Sequence, residues 1–402
     1  MIQNLLISSS VLFDNDNLMD LIYFDNAATS WPKPETTISA INNFNNSIGA
    51  NPGRSGHRLS IEAGRIIYNS RDSLAKLFNI ANPCRIVFTQ NATEALNLVI
   101  FGLLKPGDHV LTSSMEHNSV MRPLRFMEKN GLELTVIPCS RNGDFDPGKV
   151  IPLIKKNTKV LFLTHASNIT GTIMPIVDVG QITREHGIIF CVDSAQTAGA
   201  LSIDVNKMNI DLLAFTGHKS LFGPQGTGGL YIRETLENKL NPIMMGGTGS
   251  RSEFEEQPDF MPDKYESGTS NAIGIAGLGA GVKYILNEGI DVIQAREETL
   301  TGLFLDGLSS IHGITIYGPS NKLNRTSVVS FNIKKRSPSD VTLKFDEKYN
   351  IMSRPGLHCA PTAHKTIGSY PEGTIRFSFG YFNTVKEINT ALEAIENLCL
   401  KR

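Results

Sequence analysis

The sequence predicts an α/β protein with a mostly parallel sheet covered on both faces by helices, followed by a smaller α+β unit. Three observations carry this. Short β-branched and aliphatic runs recur between residues 85 and 233, their starts roughly 25 residues apart, which is enough chain for a crossover helix between parallel strands. Most of the runs lack polar alternation, as strands buried on both faces do. The chain is also long enough for a large core, with 402 residues, 41% apolar and 19% charged.

The first six runs are Arg85–Thr89, His109–Thr112, Leu134–Pro138, Lys159–Thr164, Ile188–Asp193 and Asp211–Thr216. After the first, Asn91 is a good N-cap and Glu94 completes a capping box ahead of Ala95, Leu96, Leu98 and Val99. A seventh run, Gly229–Arg233, follows Thr216 after twelve Gly- and Pro-rich residues. That connection has no room for a crossover helix, so the seventh strand is expected to be antiparallel. From about residue 280 the pattern changes. A long helix is expected over 281–310, then strands at Ile314–Tyr317 and Val328–Ile333 and a helix opened by Ser337-Pro338. A strand at Ile375–Phe379 precedes a last helix, capped by Thr384 and Glu387, with Ile388, Leu392 and Ile395 on one face. The expected division is a larger domain over 36–279 and a smaller one over 280–402, with 19–35 packed nearby. Met19 opens MDLIYFDNAAT, which reads like a native start, so 1–18 is expected to be an extension.

Composition excludes several classes. Lys plus Arg is 38 against 39 for Asp plus Glu, a net charge of −1, so nucleic acid and anionic membrane are not expected partners. No apolar run approaches the roughly 18 residues of a membrane span. Five cysteines are sparse and odd in number, which argues against a disulfide framework and for a reducing, cytoplasmic compartment. The first 32 residues contain no Lys or Arg, unlike a secretory or mitochondrial leader.

In open α/β sheets ligands bind beyond the carboxyl ends of the strands. The residues following these strands are Asn91-Ala92-Thr93 at a helix N-terminus, Glu116-His117, Ser167-Asn168, Asp193 with Ser194-Ala195-Gln196, and Thr216 with Gly217-His218-Lys219. Each alone has an ordinary use: a surface lysine, a helix-capping aspartate, a satisfied histidine, a turn asparagine. One chemistry uses them together. A lysine amine forms a Schiff base with an aldehyde cofactor, a carboxylate keeps a pyridinium nitrogen protonated, and a helix N-terminus holds a phosphate. That is the chemistry of pyridoxal phosphate (PLP). Nucleotide phosphate loops fail on pattern: His218 separates Gly217 from Lys219, and no G-x-G-x-x-G opens a helix after a strand. Cys84, Cys139, Cys191 and Cys399 have structural readings. Cys359 lies in the loop-like run RPGLHCAP beside Arg354 and His358, cations or ionisable groups that favour a reactive thiolate. Arg376, a charge within an apolar strand, calls for a carboxylate partner from either the protein or a substrate.

These residues resemble the class-V aminotransferase-type PLP enzymes of fold type I, and more narrowly the group II (Suf-type) cysteine desulfurases, which include selenocysteine lyase-like members. The matching stretches run from Tyr23 to Thr384: YFDNAATSWPKP, GANPGRSGHRLS, FTQNATEALNLV, MEHNS, SNITGT, VDSAQTAG, TGHKSLFGPQGTGGLY, YESGTSN, RPGLHCAP and GTIRFSFGYFNT. The resemblance implies that Lys219 is the Schiff-base lysine, His117 the base stacked on the cofactor ring and Asp193 the partner of the ring nitrogen. It implies Gln196 and Asn168 near the ring oxygen and Thr93, Thr216 and His218 as phosphate ligands. Thr269 would be a phosphate ligand donated by a second subunit of a homodimer. Arg376, with Arg354, Asn26 and Ala28, would bind substrate, and Cys359 would form a persulfide; no metal is implied. The implied activity converts L-cysteine to L-alanine and passes the sulfur to an acceptor protein, for iron–sulfur cluster or selenium or molybdenum cofactor chemistry. Leu357 stands where this branch commonly has the first of two histidines, and Pro355 where it often has threonine. This leaves open the acceptor and the preference for L-cysteine over L-selenocysteine. A selenocysteine lyase, another β-lyase or an aminotransferase is the alternative within PLP chemistry. A non-catalytic scaffold is disfavoured by the presence of both Lys219 and Cys359.

Overall fold

The computed structural model describes residues 21–53 and 55–400; the expected extension over 1–18 lies outside them. Seven strands form the main sheet: β1 (Ile86–Thr89), β2 (His109–Ser113), β3 (Glu133–Ile137), β4 (Thr158–Thr164), β5 (Ile189–Asp193), β6 (Leu212–Thr216) and β7 (Gly228–Ile232), in the order β1-β7-β6-β5-β4-β2-β3. β2 to β6 pair in parallel, and β7 is antiparallel to both β1 and β6, as its short connection requires. Along β4 successive side chains enter opposite cores: Leu161 and Leu163 join one cluster, Val160 and Phe162 the other. This period of two with both faces apolar is what continuous hydrophobic strands produce.

Ten α-helices lie among the described residues: α1 (Glu35–Asn43), α2 (Arg58–Leu77), α3 (Ala92–Leu103), α4 (Asn118–Lys129), α5 (Ile176–Glu185), α6 (Ala272–Glu288), α7 (Ile290–Ser310), α8 (Pro338–Tyr349), α9 (Pro361–Ile367) and α10 (Val385–Leu400). Asn91 caps α3 by accepting from the Glu94 N–H at 2.9 Å; the Glu94 carboxylate reaches back to the Gln90 N–H, one residue earlier than a standard capping box. The helix expected over 281–310 is two helices. Gly289, at φ 89°, breaks it, although the apolar pattern runs on through the break. A side chain at Gly281 of α6 would put its Cβ 2.5 Å from the Leu221 carbonyl oxygen. Glycine therefore lets α6 press against the turn that carries Lys219.

The smaller unit is an antiparallel sheet of β8 (Ile314–Tyr317), β9 (Val328–Ile333), β10 (Arg354–Gly356) and β11 (Thr374–Ser378), in the order β10-β11-β9-β8. Its core joins Phe331, Phe377 and Phe379 to Phe304 of α7, Phe345 of α8 and Ile388 of α10. The segment read as a loop from Pro355 and Gly356 begins as the edge strand β10, the one kind of sheet position that tolerates proline. Ile22–Tyr23 pairs with Ile351–Met352 and ties the N-terminal segment to this unit. Among the described residues no helix is long and apolar enough to cross a membrane.

Candidate active site

The carboxyl ends of β4, β5 and β6 and the N-termini of α3 and α4 open into one cavity of about 210 Å³. Thr93, His117, Asn168, Asp193, Gln196, Thr216, His218, Lys219, Arg354, Arg376 and Ala28 line it. Three other residues singled out in the sequence do not. Asn26 spends its amide on the Tyr23 and Ser378 carbonyls and on Asn383. Thr269 lies in a separate depression with Phe88, Met244 and Glu266. Cys359 is solvent-exposed beside the cavity.

Lys219 follows β6 on a turn held by Ser30, whose hydroxyl donates to the Lys219 carbonyl at 2.7 Å. Burial lowers its pKa to about 8, Asp193 opposing and Arg376 and Arg354 assisting, so a useful fraction is free amine near neutrality. Asp193 ends β5. One of its oxygens accepts from the Ala195 N–H at 2.9 Å; no helix starts here, so the bond closes a turn and Asp193 is not a helix cap. Burial raises its pKa, and that backbone hydrogen bond and Lys219 hold it back. His117 caps α4, its Nδ1 accepting from the Ser119 N–H at 3.1 Å. A neutral ring therefore carries its proton on Nε2. Burial, then the charge of Lys219, pushes its pKa down to about 4. Ser119 was not foreseen. Its hydroxyl lies 2.6 Å from that of Thr93, joining the first turns of α3 and α4; the only sequence signal was a serine two residues after His117.

Arg376 and Arg354 face each other across β11 and β10. Like charges directly opposite are destabilising, and one counterion is present: Asp25 accepts from Arg376 at 2.7 Å. Arg376 also donates to the Asn168 carbonyl at 3.0 Å, while its Nε is buried without a partner. The protein carboxylate and room for a further anion therefore coexist. Arg376→Ala is expected to weaken amino-acid binding roughly 10- to 100-fold, because a charge-assisted hydrogen bond is worth about 1.5–3 kcal/mol. It should also lower the melting temperature by stranding Asp25. Substrate titration and calorimetry check both; unchanged affinity would leave only the ion pair.

Glu116 lies behind His117 with no exposed surface. Its Oε1 accepts from the Ser113 hydroxyl at 2.6 Å and the Thr164 N–H at 3.1 Å, and Oε2 has no partner. Burial pushes its pKa up to about 8, keeping a second negative charge away from Asp193. The folded chain holds a proton here that the unfolded chain releases above its ordinary carboxylate pKa. This group's stabilisation is therefore full below about pH 4.5 and is lost as pH rises through about 8. In Glu116→Gln the melting temperature should fall less between pH 5 and 8 than in the parent; parallel curves from scanning calorimetry would refute the assignment.

Cys359 alone of the cysteines is exposed; burial raises the thiol pKa values of Cys139 and Cys191. His358 and Cys359 have φ of 47° and 59°, a left-handed pair costing about 1–3 kcal/mol per residue. Asn168 donates to the His358 carbonyl at 2.7 Å and the Asn118 N–H to that of Cys359 at 2.8 Å. Arg354 Nη2 lies 3.9 Å from Cys359 Sγ. His358, expected to help activate the thiol as a cation, does not: burial holds its pKa well below the usual histidine range and the ring is neutral.

The residues fit a planar aldehyde cofactor with a phosphate. A buried amine, a buried carboxylate and a neutral imidazole converge, and His218 Nδ1 is a buried polar atom with no protein partner. The aminotransferase class-V family profile matches residues 22–390. The chain is 38% identical over 390 residues to a probable cysteine desulfurase of Pyrococcus abyssi, covering 94% of each chain. It is 35% identical over 387 residues to one of Methanothermobacter thermautotrophicus, covering 95% of each. The apo structure of a cysteine desulfurase from Thermococcus onnurineus NA1 superposes with a TM-score of 0.89 at 36% identity, over 95% of each chain.

Proposed function

The chain belongs to the class-V aminotransferase family, and from that premise we propose that it is a PLP-dependent cysteine desulfurase of the Suf-type branch. It converts L-cysteine to L-alanine and leaves the sulfur as a persulfide on Cys359 for an acceptor protein. The observation that carries the reading is the exposed Cys359, clamped by Asn168 and Asn118 beside a cavity that contains Lys219, Asp193 and His117.

Bound here, PLP supplies an electron sink for negative charge developing at the substrate α-carbon. Lys219 would hold its aldehyde carbon and Asp193 the ring N–H. His117 would lie against the ring, with Gln196 and Asn168 near its oxygen. Thr93, Thr216 and His218 would hold the phosphate at the helix N-terminus. Arg376 and Arg354 orient the substrate carboxylate. Lys219, partly unprotonated near pH 8, removes the α-proton. The Cys359 thiolate attacks the substrate sulfur; the Cβ–S bond breaks and its electron pair stays with the carbon skeleton. That skeleton takes up one proton at Cβ and recovers the one at Cα that Lys219 removed, and leaves as alanine. In the proposed homodimer, Thr269 of each subunit serves the other's phosphate site.

The test is to incubate the protein with L-cysteine and PLP and measure alanine, sulfide and persulfide on Cys359. A keto acid without alanine would identify an aminotransferase instead. Asp193→Ala should lower turnover far more than cofactor affinity, because its carboxylate acts on charge that grows toward the transition state. Equal losses in the two measurements would make Asp193 a structural residue.

A further inference from the structure

The Cys359 segment is followed by a hydrogen-bond chain that the reaction above does not use. His358 Nε2 lies 3.1 Å from the Arg354 carbonyl. His358 Nδ1 lies 3.4 Å from His364 Nε2, and His364 Nδ1 lies 2.6 Å from the Ser369 hydroxyl. His358, His364 and Ser369 are all buried. A carbonyl only accepts, so His358 carries its proton on Nε2 and its Nδ1 must accept. His364 therefore carries its proton on Nε2, and its Nδ1 accepts from Ser369. Burial keeps both rings neutral, pushing the pKa of His364 to about 4 and that of His358 lower than usual. The Leu357 carbonyl also faces the His364 ring. One arrangement of protons satisfies every link, and both imidazole N–H groups point toward the segment that bears Cys359.

We propose that His364 and Ser369 are positioning residues for sulfur transfer, which through His358 hold the Arg354–Cys359 segment in the left-handed turn that keeps Sγ beside Arg354. The inference rests on reading Cys359 as the sulfur acceptor. His364 touches none of the reacting atoms. It lies on α9, and Ser369 follows that helix, closed by the Ser369 N–H to the His364 carbonyl at 2.9 Å. α9 thus offers a fixed frame on which the strained turn is hung. Without the two donors, His358 and Cys359 have less reason to remain at positive φ.

The test compares His364→Leu, His364→Gln and Ser369→Ala in the holoenzyme. Leu keeps an apolar volume without a donor, and Gln restores one N–H. Three quantities are read: hydrogen exchange of the 357–360 amides, kcat and KM for sulfide release, and the visible absorbance of the cofactor. In His364→Leu, loop exchange should rise and kcat should fall by about 5- to 10-fold, the value of one hydrogen bond, with KM and absorbance unchanged. His364→Gln should recover most of both, and Ser369→Ala should show the same pattern as His364→Leu. Parental loop exchange and kcat in His364→Leu would overturn the proposal. So would a loss that Gln does not restore and that spreads to the amides of β9 and β11, since that is a packing defect. If His364→Leu does not fold, parental loop exchange in Ser369→Ala overturns it. Loop exchange is read without turnover. An inert parent with a His364-dependent loop would therefore refute the desulfurase reading, and with it the role in sulfur transfer, while showing that His364 holds the turn.

Discussion

Lys219→Ala is expected to be colourless with PLP, to form no alanine from L-cysteine, and to keep its fold. Its turn survives the substitution because backbone contacts hold it: Ser30 grips the Lys219 carbonyl, and the Phe222 N–H donates to the same oxygen at 2.9 Å. Removing the side chain takes away a buried, partly charged amine that no ion pair compensates at close range among the described residues. Melting temperature should therefore hold or rise. Turnover should fall by at least the 10²- to 10⁴-fold that a positioned base contributes, with loss of the covalent attachment added to it. Visible absorbance, alanine assay and calorimetry check the three parts. A yellow, active Lys219→Ala protein would remove the centre of the proposed function.

Cys359→Ala separates the proposed reaction from other chemistry of the same family. The substituted protein should keep its visible absorbance, because Cys359 is not among the cavity-lining residues. It should still bind L-cysteine, because Arg376 and Arg354 remain. Sulfide release and persulfide formation should nevertheless be lost, since breaking the Cβ–S bond needs a group to accept the sulfur. Selenocysteine differs because a selenol is more acidic than a thiol, and a leaving group of lower pKa departs faster. Much of any selenocysteine lyase activity should therefore survive. Turnover of L-cysteine at the parental rate would make Cys359 a bystander and favour a β-lyase.

The remaining cysteines show why exposure matters as much as residue type. Cys191 inside an apolar strand run and Cys139 at the end of another already read as structural cysteines. Their burial beside Glu116, and for Cys191 also beside Asp193, raises both thiol pKa values, and burial is a property of the folded chain.

By itself the sequence determined the parallel sheet, the antiparallel seventh strand, the cap at Asn91 and the set of residues around Lys219. Each of these follows from short-range rules: apolar runs, connection length, and capping and turn residues within a few positions of one another. Those rules misread 281–310, because helical periodicity continues through Gly289 while only its positive φ marks the break. They read RPGLHCAP as loop throughout, because pairing of β10 with β11 depends on a strand about 20 residues further on. Tertiary structure alone decided the electrostatics. Asp25 meets Arg376 across 351 residues of chain, and Arg354 is brought opposite Arg376 by strand register. His358 became a neutral link to His364 instead of a cation beside the thiol. The physical reason is common to all three. A side chain's charge state depends on how much water it loses and which charges it gains on folding, and both are set by residues far away in the chain.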